Sequence, residues 1–194
     1  MFLKLALAAL MAMMPKTPSA SADLHRRQVV AIGETLSLTD AALSVRVEWD
    51  DCDDENAAYD PLTDSVVLCN ENELDPGWSV FAAAHEAGHA VVQHLNLPVD
   101  ESTWGNEVAA DELAAIALIH NGDLTDIVDA AEFHAKDLSV VEDDPHPPGP
   151  ARAFHLMCLA TGSTAEGSPY CKTLYRQVDA KWTIAIAQAD GTLD

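Results

Sequence analysis

Hydrophobic and polar positions alternate from Leu43 to Trp49, with Val45, Val47 and Trp49 on one side and Ser44, Arg46 and Glu48 on the other. A period of two predicts a half-buried strand. The next stretch, DDCDDENAAYDPLTD, is rich in Asp, Asn and Pro and reads as a loop. SVVLCN, residues 65 to 70, reads as a second short strand and a neighbour of the first across that loop. Beyond Pro76-Gly77 the period becomes helical. Val80, Phe81, Ala84, Val91, Val92 and Leu95 recur at helix spacing until Leu97-Pro98 ends the run. A second helix is predicted to open at Gly105-Asn106, with Asn106 as N-cap, and to stop at Asn121-Gly122. Its Ala, Leu and Ile content marks it as buried. A third, more polar helix covers 124 to 137, EDDPHPPGP at 142 to 150 is a loop, and two last helices cover about 151 to 160 and 170 to 189. The fold class this predicts is α+β, mostly helical, with a small antiparallel sheet packed on the helix that begins at Pro76.

The chain start has the pattern expected of a leader. MFLKLALAALMAMM followed by PKTPSASA combines a basic start at Lys4, an apolar run and a small-residue close at Ala20-Ser21-Ala22, the make-up of a secretory signal. A signal peptide over 1–22 is therefore expected, with 23–194 as a single domain of a secreted or periplasmic protein. No apolar run reaches the roughly 20 residues that a membrane-spanning helix needs, so no integral membrane segment is expected. The chain has 10 basic and 32 acidic side chains, a formal charge of −22. Lys4 and Lys16 lie in the leader and no acid does, leaving 8 basic against 32 acidic in the expected mature chain, or −24. Such a surface should repel nucleic acid and anionic membrane, and no nucleic-acid partner is expected. Cys52, Cys69, Cys158 and Cys171 form an even set, which in an exported protein points to two disulfides. Of the three possible connectivities, the sequence-local one pairs Cys52 with Cys69 and Cys158 with Cys171.

Candidate chemistry sits on the first long helix. Its run HEAGH, His85 to His89, is an H-E-x-x-H pattern. Residues four apart on a helix lie about 40° from each other around the axis and about 6 Å along it, so His85 and His89 offer two imidazoles to one point. Glu86 projects beside that point, where a carboxylate takes a proton from a metal-bound water. Zinc is the expected metal; it lowers the pKa of such a water to about 7. Gly88 leaves room for another element to approach closely. A catalytic zinc needs a third protein ligand. His94 fails as that ligand, since nine residues from His85 puts it on the opposite side of the helix. Glu107 and Asp111, four apart at the start of the next helix, share a face and supply the candidates. Either is an admissible third ligand by spacing.

HEAGH followed by a glutamate in N-E-x-x-x-D resembles the thermolysin-type gluzincins. By that resemblance the fold is zincin-like, Glu107 is the third ligand, and Asp111 holds the distal nitrogen of His85. NAAYDP (56 to 61), SVVLCNE (65 to 71), HEAGHAVVQHLNLPV (85 to 99), AADELAA (109 to 115) and D-P-H-x-x-x-x-x-R-A-x-x-x-x-C (144 to 158) are also similar to a family of exported bacterial metallopeptidases of unassigned substrate. That resemblance implies zinc and a zincin-like fold.

The expected function is hydrolysis of peptide bonds in a peptide or protein substrate, by Glu86-assisted attack of zinc-bound water. His146, in a loop that also holds Asp144 and precedes Arg152, is the candidate for stabilising the negative charge that develops on the carbonyl oxygen. Tyr59 is a second candidate for that role, and Arg152 has an alternative use as an ion-pair partner. The strand at 65 to 70 is the candidate edge for an extended peptide. Two other functions suit the same residues: a catalytically silent, zinc-stabilised binding or scaffold protein, and a hydrolase of a non-peptide amide such as one in cell-wall material.

Overall fold

The computed structural model describes residues 20–51, 57–69, 76–138 and 146–193. Residues 1–19 of the expected leader, Cys52, Asn70, Glu71 and Asp144 lie outside them. Within them the order is α1 (Ala20–Leu36), β1 (Arg46–Asp50), β2 (Ala57–Asp60), β3 (Ser65–Cys69), α2 (Pro76–Leu95), α3 (Gly105–Asn121), α4 (Leu124–Lys136), α5 (Gly149–Gly162) and α6 (Pro169–Ala189). The described residues are mostly helical with one small sheet.

That sheet is mixed, which corrects the antiparallel expectation. Its order is β1-β3-β2, with β1 parallel and β2 antiparallel to β3. The physical reason is β2, which occupies part of the stretch read as a loop. With a strand in between, the chain reverses direction twice from β1 to β3, so the two run the same way. β1 also begins later than the alternation at Leu43 implied, and only Val47 in it is even partly covered.

The motif helix α2 lies between two apolar layers. Val80, Phe81, Ala84 and Val91 join Leu113, Ile116, Ile127, Leu156 and Trp182 in the helical core, while Ala83 and Ala87 pack with Ile32, Val66 and Leu68 against the sheet. Covered on both sides, α2 is apolar nearly all round, as a central helix must be. It ends at Leu95, where the following Asn96 takes a left-handed conformation at φ 48°, and Pro98 forbids its continuation.

Helix α3 is buried without a break from Ala109 to Leu118. Its N-cap is Trp104 rather than the expected Asn106, and no side chain caps it. The earlier start follows from Gly105, where a Cβ would fall 1.8 Å from the carbonyl oxygen of Asp100; only glycine lets the chain turn there. At the other end Gly122 has φ 88°, and its N–H returns to the carbonyls of the last turn, the left-handed stop that Asn121-Gly122 predicted. The backbones of α2 and α3 touch at Gly88, where a Cβ would lie 2.8 Å from Ala110 O and 2.9 Å from its Cα. This contact sets Glu107 and Asp111 against the two histidines.

Cys158 and Cys171 form a disulfide between α5 and α6, with Cα atoms 4.8 Å apart. Cys69 is disulfide-bonded as well, and its expected partner Cys52 lies outside the described residues. No helix among the described residues is long and apolar enough to cross a membrane.

Candidate metal centre

His85 and His89 bring their Nε2 atoms within 3.1 Å of each other, with ring planes at 89°. Glu107, in the first turn of α3, completes the group. Its Oε2 is 3.1 Å from His85 Nε2 and its Oε1 3.4 Å from His89 Nε2. Donors held about 2.0–2.1 Å from a tetrahedral zinc are about 3.3 Å from one another, so these separations fit one ion shared by all three. Three lone-pair donors facing one point repel unless a proton or a cation lies among them. The donor set therefore suits a metal.

Asp111 stands on the other side of His85. Its Oδ1 accepts from His85 Nδ1 at 2.8 Å, and Arg152 donates to it twice, from Nε to Oδ2 at 2.9 Å and from Nη2 to Oδ1 at 2.6 Å. With Nδ1 carrying its proton toward Asp111, Nε2 is left as the donor atom facing Glu107. Of the two acids that share a face of α3, Glu107 thus points toward the paired Nε2 atoms and Asp111 lies behind them.

The electrostatics follow from this packing. Burial opposes a charge on His85, but Asp111 with Glu107 and Glu86 outweighs it and raises the imidazole to about 10. Burial pushes the Glu107 carboxyl up, but His146, His85 and His89 hold it far below the usual range. Asp111 is likewise opposed by burial and held low by Arg152 and His85.

Glu86 is partly buried. Its Oε1 lies 3.9 Å from His85 Nε2, while Oε2 accepts the main-chain N–H of Tyr59 in β2 at 2.8 Å. The Tyr59 hydroxyl donates to Asp64 Oδ1 at 2.9 Å and is pushed up to about 12 by burial and by Asp64. His94, set aside on spacing, is outside the cluster: its Nε2 is 2.8 Å from the same Asp64 oxygen. His146 is brought in, with Nε2 3.1 Å from Glu107 Oε2, and its side chain remains 43 % exposed. His85, Glu107 and His146 also qualify geometrically as ligands of one ion. Arg152 is turned away behind Asp111. The Arg152 bonds to Asp111 and the Tyr59 main-chain donor were not read from the sequence, because each joins residues distant along the chain.

A cleft of about 590 Å³ opens beside Glu86, His89 and Glu107, with Tyr59, Val92 and Leu97 in its walls. β3 cannot offer a free edge to it, since β1 and β2 pair with both sides of that strand. The strand that borders the cleft is β2, which corrects the expectation for residues 65 to 70.

A family model described as "Putative metallopeptidase" matches residues 72–181, more than half of the chain, including His85, Glu86, His89, Glu107, Asp111, His146 and Arg152. No curated protein and no solved structure matches the chain. The matched stretch holds the imidazoles and carboxylates that converge on one point, and the chain belongs to the family described as "Putative metallopeptidase".

Proposed function

We propose that the protein is a zinc-dependent peptidase in which His85, His89 and Glu107 hold the metal and Glu86 moves the proton. The observation that carries this is the convergence of two imidazoles and the Glu107 carboxylate at 3.1 to 3.4 Å, with one oxygen of Glu86 facing the same point. Zinc, when bound, supplies a Lewis acid that polarises a carbonyl and acidifies a water. Glu86 takes a proton from the attacking water and returns it to the leaving amine. Tyr59 N–H holds the carboxylate so that Oε1 faces the reaction. His146, at the exposed rim, donates to the carbonyl oxygen as it gains charge. The substrate runs along β2 in the cleft. The expected leader and the Cys158–Cys171 disulfide support a place outside the cytoplasm, with residues 23–194 as one domain.

A second reading has one observation in its favour. His146 lies close enough to Glu107 and His85 to serve as a fourth protein ligand, and four protein ligands make a closed, structural site. The chain would then be a zinc-stabilised binding protein without turnover. A digest of an unbiased peptide library, with the protein zinc-loaded, chelated and reloaded, decides: cleavage that follows zinc supports the peptidase, and no cleavage in any state refutes it. A parallel digest of cell-wall fragments detects a non-peptide amide as substrate.

A further inference from the structure

Arg152 touches none of the donor atoms that face the proposed metal, yet it is among the most buried cations of the molecule. Its residue is 7 % exposed, and those of Asp111 and His85 are 2 % and 4 %. From the first turn of α5 it reaches α3 and grips both oxygens of Asp111, at 2.9 and 2.6 Å; Oδ1 at the same time accepts from His85 on α2 at 2.8 Å. Three helices are thus joined by one line of charge-assisted hydrogen bonds that ends on a metal-binding imidazole.

We infer that Arg152 is the positioning residue of the metal site, setting its affinity for a divalent ion through Asp111. The inference rests on the reading of His85 as a ligand. Two effects of Arg152 compete. The guanidinium draws electron density from Asp111 and weakens it slightly as an acceptor. It also holds the carboxylate plane fixed by a bidentate grip and supplies the countercharge without which a buried carboxylate binds a proton or turns toward solvent. The second effect dominates, because a lost acceptor frees the His85 ring, whereas a weakened one does not. Lysine cannot replace this grip, since an ammonium offers charge without the planar fork.

The test is zinc affinity, measured by competition with a chromophoric chelator at one pH, for the full protein and for Arg152→Lys, Asp111→Asn, the double variant and His85→Ala. Circular dichroism of the metal-free proteins identifies folded variants, and Arg152→Gln stands in if the lysine variant does not fold. Arg152→Lys is expected to bind zinc about 10- to 100-fold more weakly, the usual size of an effect transmitted through a ligand's hydrogen-bond partner. In the Asp111→Asn background the same substitution should change affinity by less than about twofold, because residues acting through one another are not additive. A folded Arg152→Lys protein with unchanged affinity, or equal losses in both backgrounds, overturns the inference. If His85→Ala binds zinc as the parent does, the reading of His85 falls and the inference with it; if His85→Ala loses zinc while Arg152→Lys does not, only the role of Arg152 falls.

Discussion

The main-chain N–H of Tyr59 donates to Oε2 of Glu86 at 2.8 Å, joining the edge strand β2 to the motif helix α2 at the carboxylate assigned to proton transfer. β2 pairs with β3 on one side only, so this N–H lies outside the ladder and is available to a side chain. Asp64 strengthens the attachment by holding both the Tyr59 hydroxyl and His94 of α2. One oxygen of Glu86 is thereby fixed and the other left facing His85.

Proline at position 59 isolates this bond. Tyr59→Ala keeps the N–H and loses the ring; Tyr59→Pro loses both, and an edge strand tolerates proline where its N–H points outward. Hydrogen bonds to charged groups contribute about 1.5–3 kcal/mol, so kcat should be about ten- to a hundredfold lower in the proline variant than in the alanine variant, at equal zinc content. Steady-state kinetics with metal analysis check this, and equal kcat values would refute it.

Gly88→Ala tests the contact between α2 and α3. The added Cβ meets backbone atoms of Ala110 at 2.8 and 2.9 Å, and backbone cannot rotate aside. Overpacking of this kind costs about 1–3 kcal/mol. The helices should separate slightly and carry Glu107 and Asp111 away from the histidines, lowering both the melting temperature and the zinc affinity. Unchanged zinc affinity would mean that the site does not depend on this approach.

His146→Ala separates the two readings of the site. As a rim donor, His146 contributes to kcat and not to holding zinc, so the variant should retain about one zinc per chain and lose about a hundredfold in kcat. Loss of zinc from this variant would instead identify His146 as a ligand.

Away from the centre, Glu112 predicts a pH dependence of stability. It accepts from Trp182 Nε1 at 2.8 Å and from Lys181 Nζ at 2.9 Å. Burial pushes its carboxyl up, but the His155 imidazole, 3.3 Å away, and Lys181 outweigh burial and lower it. A carboxyl lowered on folding stabilises the protein fully above its unfolded pKa, about 4.3, and loses that effect as pH falls through the folded value. Glu112→Gln should therefore be less stable by about 1–3 kcal/mol at pH 7, with the difference shrinking toward pH 3. Melting curves of both metal-free proteins across that range measure it, and a difference independent of pH would contradict it.

Long-range pairing is what the sequence conceals here. Helix α2 was legible from its apolar spacing and proline stop, and α3 from its buried residues and Asn121-Gly122. Helix α1 was missed because half of its buried stripe is polar: Gln28 and Thr35 sit beside Ala31 and Ile32, with Gln28 bonded to Ser79 O and Thr35 to Ala31 O. No hydrophobic period shows such a face. β2 was hidden among Asp, Asn and Pro, and missing it reversed the expected sense of the sheet. Around the site, His85, Glu86 and His89 are local on one helix, and Glu107 and Asp111 share a face of the next. The grip of Arg152 spans 41 residues, and the donor at Tyr59 is main chain, which leaves no mark in residue identity.

Zinc content measured beside peptide cleavage, for the parent and Glu86→Ala purified together, bears most directly on the central claim. The account predicts about one zinc per chain in both proteins, with cleavage by the parent and none by the variant. Cleavage retained by Glu86→Ala, or cleavage by a parent that holds no metal, would contradict it.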